Sequence, residues 1–161
     1  MLVALALGTL APRAFAFERE WHLGGGLGLA AAPAYSLGPA ASLYAAYGLS
    51  DAFDARLEIS SSVQGRLDDA SAFLSFKGVL GYKIDVGRWI PWIGPSVGGL
   101  ATGQQKWPFD ALQPTAGLTA GLDYAWTRHF GIALCLSGDY GFDQAALYGA
   151  GYLRAEYHWG W

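Results

Sequence analysis

The chain has 161 residues, enough for one domain, and only 14% of them are charged, where about 25% is usual for soluble domains. Its net charge of -3, with no Lys/Arg cluster, argues against nucleic acid as a partner. Hydrophobic residues make up 53% of the chain, yet no run approaches the ~18 unbroken apolar residues of a membrane-spanning helix, so the apolar content must be distributed another way.

The chain opens on "MLVALALGTLAPRAFA". Leu2–Leu10 has the length of a signal-peptide apolar region, and Ala14-Phe15-Ala16 supplies a small-x-small cleavage pattern. The expectation is a signal peptide over 1–16 and a mature domain over 17–161, with a buried N-terminal helix or strand as the alternative. No Lys or Arg precedes the run, so either the signal is atypical or the true start lies upstream of Met1. The single Cys135 leaves no internal disulfide to an exported chain.

From there on, apolar residues recur with period two, the signature of strands rather than helices. Eight strands are predicted, over 20–31, 40–49, 53–62, 70–84, 89–101, 113–125, 130–140 and 147–161. In the first, "HLGGGLGLA" superficially matches a phosphate loop, but the alternation runs straight through Gly24, Gly26 and Gly28. With no following helix to meet a phosphate, they read as inward strand positions. In the third, Phe53, Ala55, Leu57 and Ile59 oppose Asp54, Arg56, Glu58 and Ser60. The fifth, "WIPWIGPSVGGLA", has no assignable faces, because Pro91 and Pro95 disturb the ladder. The sixth sets Leu118, Leu122 and Tyr124 against Thr119, Gly121 and Asp123; the seventh sets Ile132, Leu134 and Leu136 against Ala133, Cys135 and Asp139. The eighth ends "LRAEYHWGW", with Tyr157, Trp159 and Trp161 on one face and Arg154, Glu156 and His158 on the other.

The polar face is made mainly of small residues and a few charges. Lys, Glu and Arg are too few to clothe a soluble barrel, so the apolar face is expected to point to lipid and the polar face to a narrow lumen. Connections alternate between tight turns at 50–52, 85–88 and 126–129 and longer ones near 32–39, 63–69, 102–112 and 141–146, as in outer-membrane barrels. "YGLSDAF" and "YAWTRHF" repeat an aromatic–turn–aromatic spacing. With Trp21, Tyr47, Phe53, Tyr82, Tyr124, Phe130, Tyr157, Trp159 and Trp161, they place a girdle at one end of the strands, where rings meet lipid headgroups.

The signal-like start, the "YGLSDAFDARLEIS" and "LGYKIDVGRWIPWIGPSVGG" hairpins and the aromatic-ended last strand resemble the small eight-stranded outer-membrane proteins of Gram-negative bacteria, such as the OmpA transmembrane domain, OmpX and OmpW. The resemblance covers Glu20 to Trp161. It implies an all-β, eight-stranded, antiparallel, up-and-down transmembrane barrel in the outer membrane, a monomer in contact with lipid and lipopolysaccharide. The last strand would be the signal read by the barrel-assembly machinery, although Trp161 stands where Phe is commoner. The short loops weaken any transfer of an adhesive role.

The expected lumen network comprises Glu20, His22, Asp54, Arg56, Glu58, Lys77, Asp123, Asp139, Arg154, Glu156 and His158, with Lys83 beside them. Glu20, His22, Glu156 and His158 should approach one another when the first and last strands close the barrel. Two His and two carboxylates can make a zinc-type set, but a hydrogen-bonded, ion-paired plug is favoured, in which Arg154 joins Glu20 and His22 and Arg56 and Lys77 are further candidate cations, so neither metal nor cofactor is expected. Mixed charge signs suggest a cross-linked, filled interior rather than an ion path. Catalysis is not expected: His22, His129 and His158 all fall at the end away from the outer loops, where a lipid-modifying barrel would need its base. Trp107 and Phe109 are expected in the outer girdle or over the barrel mouth, with Asp68, Asp69 and Asp143 solvating the rim. The expected role is envelope structure or surface interaction. The alternatives are an OmpW-like conduit for small hydrophobic molecules, opened near Pro91–Pro95, a lipid-modifying enzyme, or a soluble lipocalin-like carrier.

Overall fold

A computed structural model describes residues 19–33, 36–65, 70–103 and 111–160. The expected signal segment, Trp161, the stretch with Trp107 and Phe109, and Asp68 and Asp69 lie outside these residues. Eight strands follow one another: β1 (Trp21–Ala31), β2 (Gly38–Gly48), β3 (Phe53–Gln64), β4 (Ser71–Lys83), β5 (Trp89–Gly103), β6 (Ala111–Ala125), β7 (Phe130–Gly141) and β8 (Ala146–Trp159). Each pairs antiparallel with the next, and β1 pairs with β8, so the sheet closes into a barrel with no free edge. No described helix is long and apolar enough to cross a membrane. Strands of 11 to 15 residues are, at the ~9–11 needed, long enough to do so.

The alternation read from the sequence sets the faces. On β3 exposed and buried residues alternate without a break, Leu57 being 72% exposed and Asp54 fully buried. Leu27 (75%), Leu43 (69%), Val97 (66%) and Leu153 (63%) continue the outward apolar surface around the barrel. A soluble carrier would bury such residues. Here the buried side carries Arg56, Glu58, Lys77, Asp123, Arg154 and Glu156, so the apolar surface is the one that meets lipid.

The fifth strand is continuous despite its prolines. Pro91 and Pro95 share the outward face with Trp89 and Ile93, and Ile90, Trp92 and Ser96 turn inward. The ladder with β4 is interrupted between Val79↔Ser96 and Tyr82↔Ile93, but its register is the same on both sides. The strands do not part there, since a Cβ added at Gly94 would collide with the Leu80 carbonyl oxygen. The lateral opening expected of a hydrophobic conduit is not formed at this place.

The three short turns share one device. Ser50 Oγ accepts from the amides of Ala52 (3.3 Å) and Phe53 (3.1 Å), and Thr127 Oγ1 accepts from His129 (3.2 Å) and Phe130 (3.0 Å). In the third, Asp85 Oδ1 accepts from Gly87 at 2.9 Å, with Gly87 at φ 75°, a conformation that favours glycine. Side-chain acceptors at these positions explain the repeated "YGLSDAF" and "YAWTRHF" spacing. At the opposite end the connections 32–37, 65–70 and 142–145 are shorter than the sequence pattern suggests. The ladders run further there, for example Gln64↔Ser71 and Gly141↔Ala146, leaving few residues to loop out.

Candidate functional site: the lumen network

Inward residues from all the strands converge on a narrow axis. Glycines on neighbouring strands give the larger side chains room. A Cβ at Gly24 would strike the Tyr44 ring, at Gly121 the Trp92 indole, and at Gly81 the Asp54 carboxylate. The glycine-rich inner face is therefore the complement of a few large buried groups.

At the turn end, Glu20, His22 and His158 come together. His22 and His158 are direct partners across the β1–β8 seam, their ring centroids 4.2 Å apart. Glu20 Oε2 lies 3.6 Å from His22 Nε2. Burial alone would raise the Glu20 carboxyl, but its hydrogen bond to His22 and the nearby imidazoles and Lys83 hold it below the ordinary carboxylate value. Glu156 Oε2 meets His158 Nε2 at 3.1 Å, and its other oxygen accepts from the Tyr44 hydroxyl.

The next layer is built on Arg56. Its guanidinium reaches Asp54 at 2.8 Å and Asp123 at 3.3 Å and lies 3.6 Å from the Trp92 ring centroid. Trp92 Nε1 donates to Asp123 at 2.7 Å, and Lys83 meets Asp54 at 3.2 Å. Deeper still, Arg154 pairs with Glu58 at 2.7 Å and donates to Ser42 at 3.1 Å. Lys77 reaches Asp139 at 3.0 Å and Glu58 at 4.0 Å, and Ser96 Oγ donates to Asp139 at 2.6 Å. Toward the loop end charge gives way to hydroxyls and amides, with Gln64 on Ser62 and Gln113 on Tyr148. A cavity of about 50 Å³ opens there among Ser60, Ser62, Thr115 and Tyr148, above Lys77 and Asp139. At ~10–15 Å³ per water-sized occupant it has room for a few waters.

Two sequence expectations change. Arg154 does not join Glu20 and His22. It lies four residues before His158 on the same strand, roughly 13 Å along it, where Gly26 makes room and Glu58 on β3 is the available carboxylate. The inner face, read as mainly small residues and a few charges, also takes in three large rings, Tyr44, Trp92 and Tyr152, all buried inside it. Parity with Ser42 and Ala46 signals Tyr44. Trp92 is legible once Pro91 and Pro95 are seen to share the outward face.

Replacing Tyr44 with Phe leaves a Glu156 oxygen without its donor in a buried site. The expected cost is about 1–3 kcal/mol, read as a lower urea midpoint for the folded barrel.

The girdle residues sit together on the outer face at the turn end. Trp159 stacks on Trp21 (6.4 Å) and Tyr157 (5.9 Å), while Trp21–Tyr47 (4.9 Å), Phe53–Tyr82 (5.3 Å) and Trp89–Tyr124 (4.6 Å) meet at tilted angles and Phe130 meets Tyr157 edge-on (5.2 Å). These pairs are cross-strand or next-but-one neighbours, so one belt of rings spans the hairpins.

No protein-family model and no curated protein sequence matches the chain. Solved structures do. Neisserial surface protein A aligns with a TM-score of 0.74 at 11% identity, over 87% of this chain and 97% of that one. Ail, the attachment invasion locus protein of Yersinia pestis, gives 0.61 at 14% over 88% and 99%. The outer membrane protein OprG of Pseudomonas aeruginosa gives 0.61 at 11% over 92% and 99%. Strand number, closure and outward apolar face agree with these likenesses: the fold of this chain is that of the small eight-stranded outer-membrane barrels.

Proposed function

We propose that the chain is an integral outer-membrane barrel with a closed lumen, serving envelope structure or surface interaction without catalysis. The observation that carries this is the cross-linked interior: Arg56, Lys77 and Arg154 are bridged to Asp123, Asp139 and Glu58 on non-adjacent strands, and Lys83 and Arg56 share Asp54. Mixed-sign pairs that fill an eight-stranded barrel leave neither a single-sign path nor a bore. The three histidines cluster at the turn end, where His129 Nδ1 lies 3.1 Å from the His158 carbonyl, and this speaks against a base serving lipid at the loop end. Ail, named for attachment and invasion, is a precedent for a surface role on this fold. On this reading the barrel is a monomer in contact with lipid and lipopolysaccharide. The barrel-assembly machinery recognises its aromatic last strand.

The expected result in planar bilayers is conductance near zero from samples whose folded state is verified by heat-modifiable gel mobility. Sustained large openings would overturn the filled-lumen reading.

A further inference from the structure

We propose that Glu20, His22 and His158 form a binding site for a divalent metal ion of the zinc class, which clasps the closing seam of the barrel. One ligand atom from each residue lies within 4.8 Å of the other two. Zinc held at ~2.0–2.1 Å by nitrogen and oxygen wants its ligands roughly 3.4 Å apart, so side-chain rotations of about an ångström complete the shell. Two imidazoles and one carboxylate are a donor set that zinc uses with a fourth position open to water.

The surroundings fit an ion at this place better than the ion-paired plug expected from sequence. Arg56, Lys77 and Arg154 are engaged deeper in the lumen by Asp54, Asp123, Asp139 and Glu58. Glu20 and Glu156 instead face the two histidines. Lys83, bridged to Asp54, is a cation whose charge reaches Glu20 and His22. Glu156 anchors the His158 ring at 3.1 Å and is itself held by Tyr44, the kind of outer-shell support that orients metal-ligating histidines. Access is from the turn-end mouth, where the Glu20 side chain is 17% exposed and the two rings are buried behind it.

The position gives the ion a structural consequence. His22 is near the start of β1 and His158 near the end of β8, so one ion joins the first and last strands across the ladder that closes the barrel. An ion that binds this arrangement and not the open chain stabilises the closed barrel by mass action.

The test uses the tag-free full chain refolded in detergent, titrated with Zn2+ and, for spectroscopy, Co2+. One equivalent is expected to bind, with visible d–d bands from Co2+, a Zn2+-dependent rise in the temperature at which the folded gel band is lost, and reversal by EDTA. Glu20→Ala, which lies outside the strands, should weaken binding about tenfold or more. Glu20→His should restore it, and His22→Asn and His158→Asn should abolish it. His129→Ala, at the nearby exposed turn, should leave it intact. The proposal is overturned by absence of saturable binding at millimolar Zn2+, by equal affinity in wild type and Glu20→Ala, or by loss of binding in His129→Ala alone. Should the His22 and His158 variants fail to fold, the Glu20 pair decides.

Discussion

Replacing Arg56 with methionine is expected to destabilise the barrel by about 3–5 kcal/mol, the usual cost of removing one partner from a buried ion pair. Arg56 is 4% exposed, and its guanidinium is the shared partner of Asp54 and Asp123. Methionine keeps much of the side-chain volume, so the loss is electrostatic rather than a cavity effect. Asp54 retains Lys83 at 3.2 Å and Asp123 retains the Trp92 indole at 2.7 Å, but two carboxylates then face one cation and one neutral donor. The companion Arg56→Met/Asp123→Asn, which removes one of those carboxylates, should recover more than half of the loss. Both are measured as urea unfolding free energies of the refolded barrel, followed by heat-modifiable mobility. A single-variant loss below about 1 kcal/mol would show that the guanidinium does not hold the layer together.

Gly28→Val is expected to prevent stable closure, at a cost of about 3 kcal/mol or more. Gly28 lies opposite Tyr152 in the β1–β8 ladder, and a Cβ there would collide with the carbonyl oxygen of Gly151. The obstacle is backbone of the neighbouring strand at the β1–β8 seam, so no rotamer change relieves it. The control is Gly138→Ala on β7, where an added Cβ meets nothing within 4 Å. Alanine there should be neutral or slightly stabilising, because glycine in a strand carries an entropic cost. Equal behaviour of the two variants in a refolding-yield assay would refute the idea that close seam contact fixes Gly28.

Much of the lumen was legible from single strands. Asp54, Arg56 and Glu58 alternate with Ala55 and Leu57, and Lys77, Asp123, Arg154 and Glu156 follow the same rule on their strands. All of them are buried. Such a reading works because a strand's side chains alternate by covalent geometry, independent of what the strand later touches. It faltered at Trp92, where two prolines obscured the faces, and at Tyr44, a large ring on an inner face otherwise made of small residues. Both rings rely on a glycine of a neighbouring strand, Gly121 for Trp92 and Gly24 for Tyr44, and no single strand shows that complementarity.

Strand number, the inside-out polarity and the position of the aromatic belt were therefore determined by the sequence alone, each resting on local periodicity or on turn chemistry such as that of Ser50, Asp85 and Thr127. Only the tertiary structure decided which inward groups meet. Arg154 finds Glu58 on β3 rather than Glu20 just ahead of the adjacent β1, and His22 finds His158 as its direct cross-seam partner. Alternation says which way a side chain points. Its height along the axis and its partner across the lumen follow from the register of every ladder and the closure of β1 on β8, and a shift of two residues in one ladder keeps every face and changes every pair.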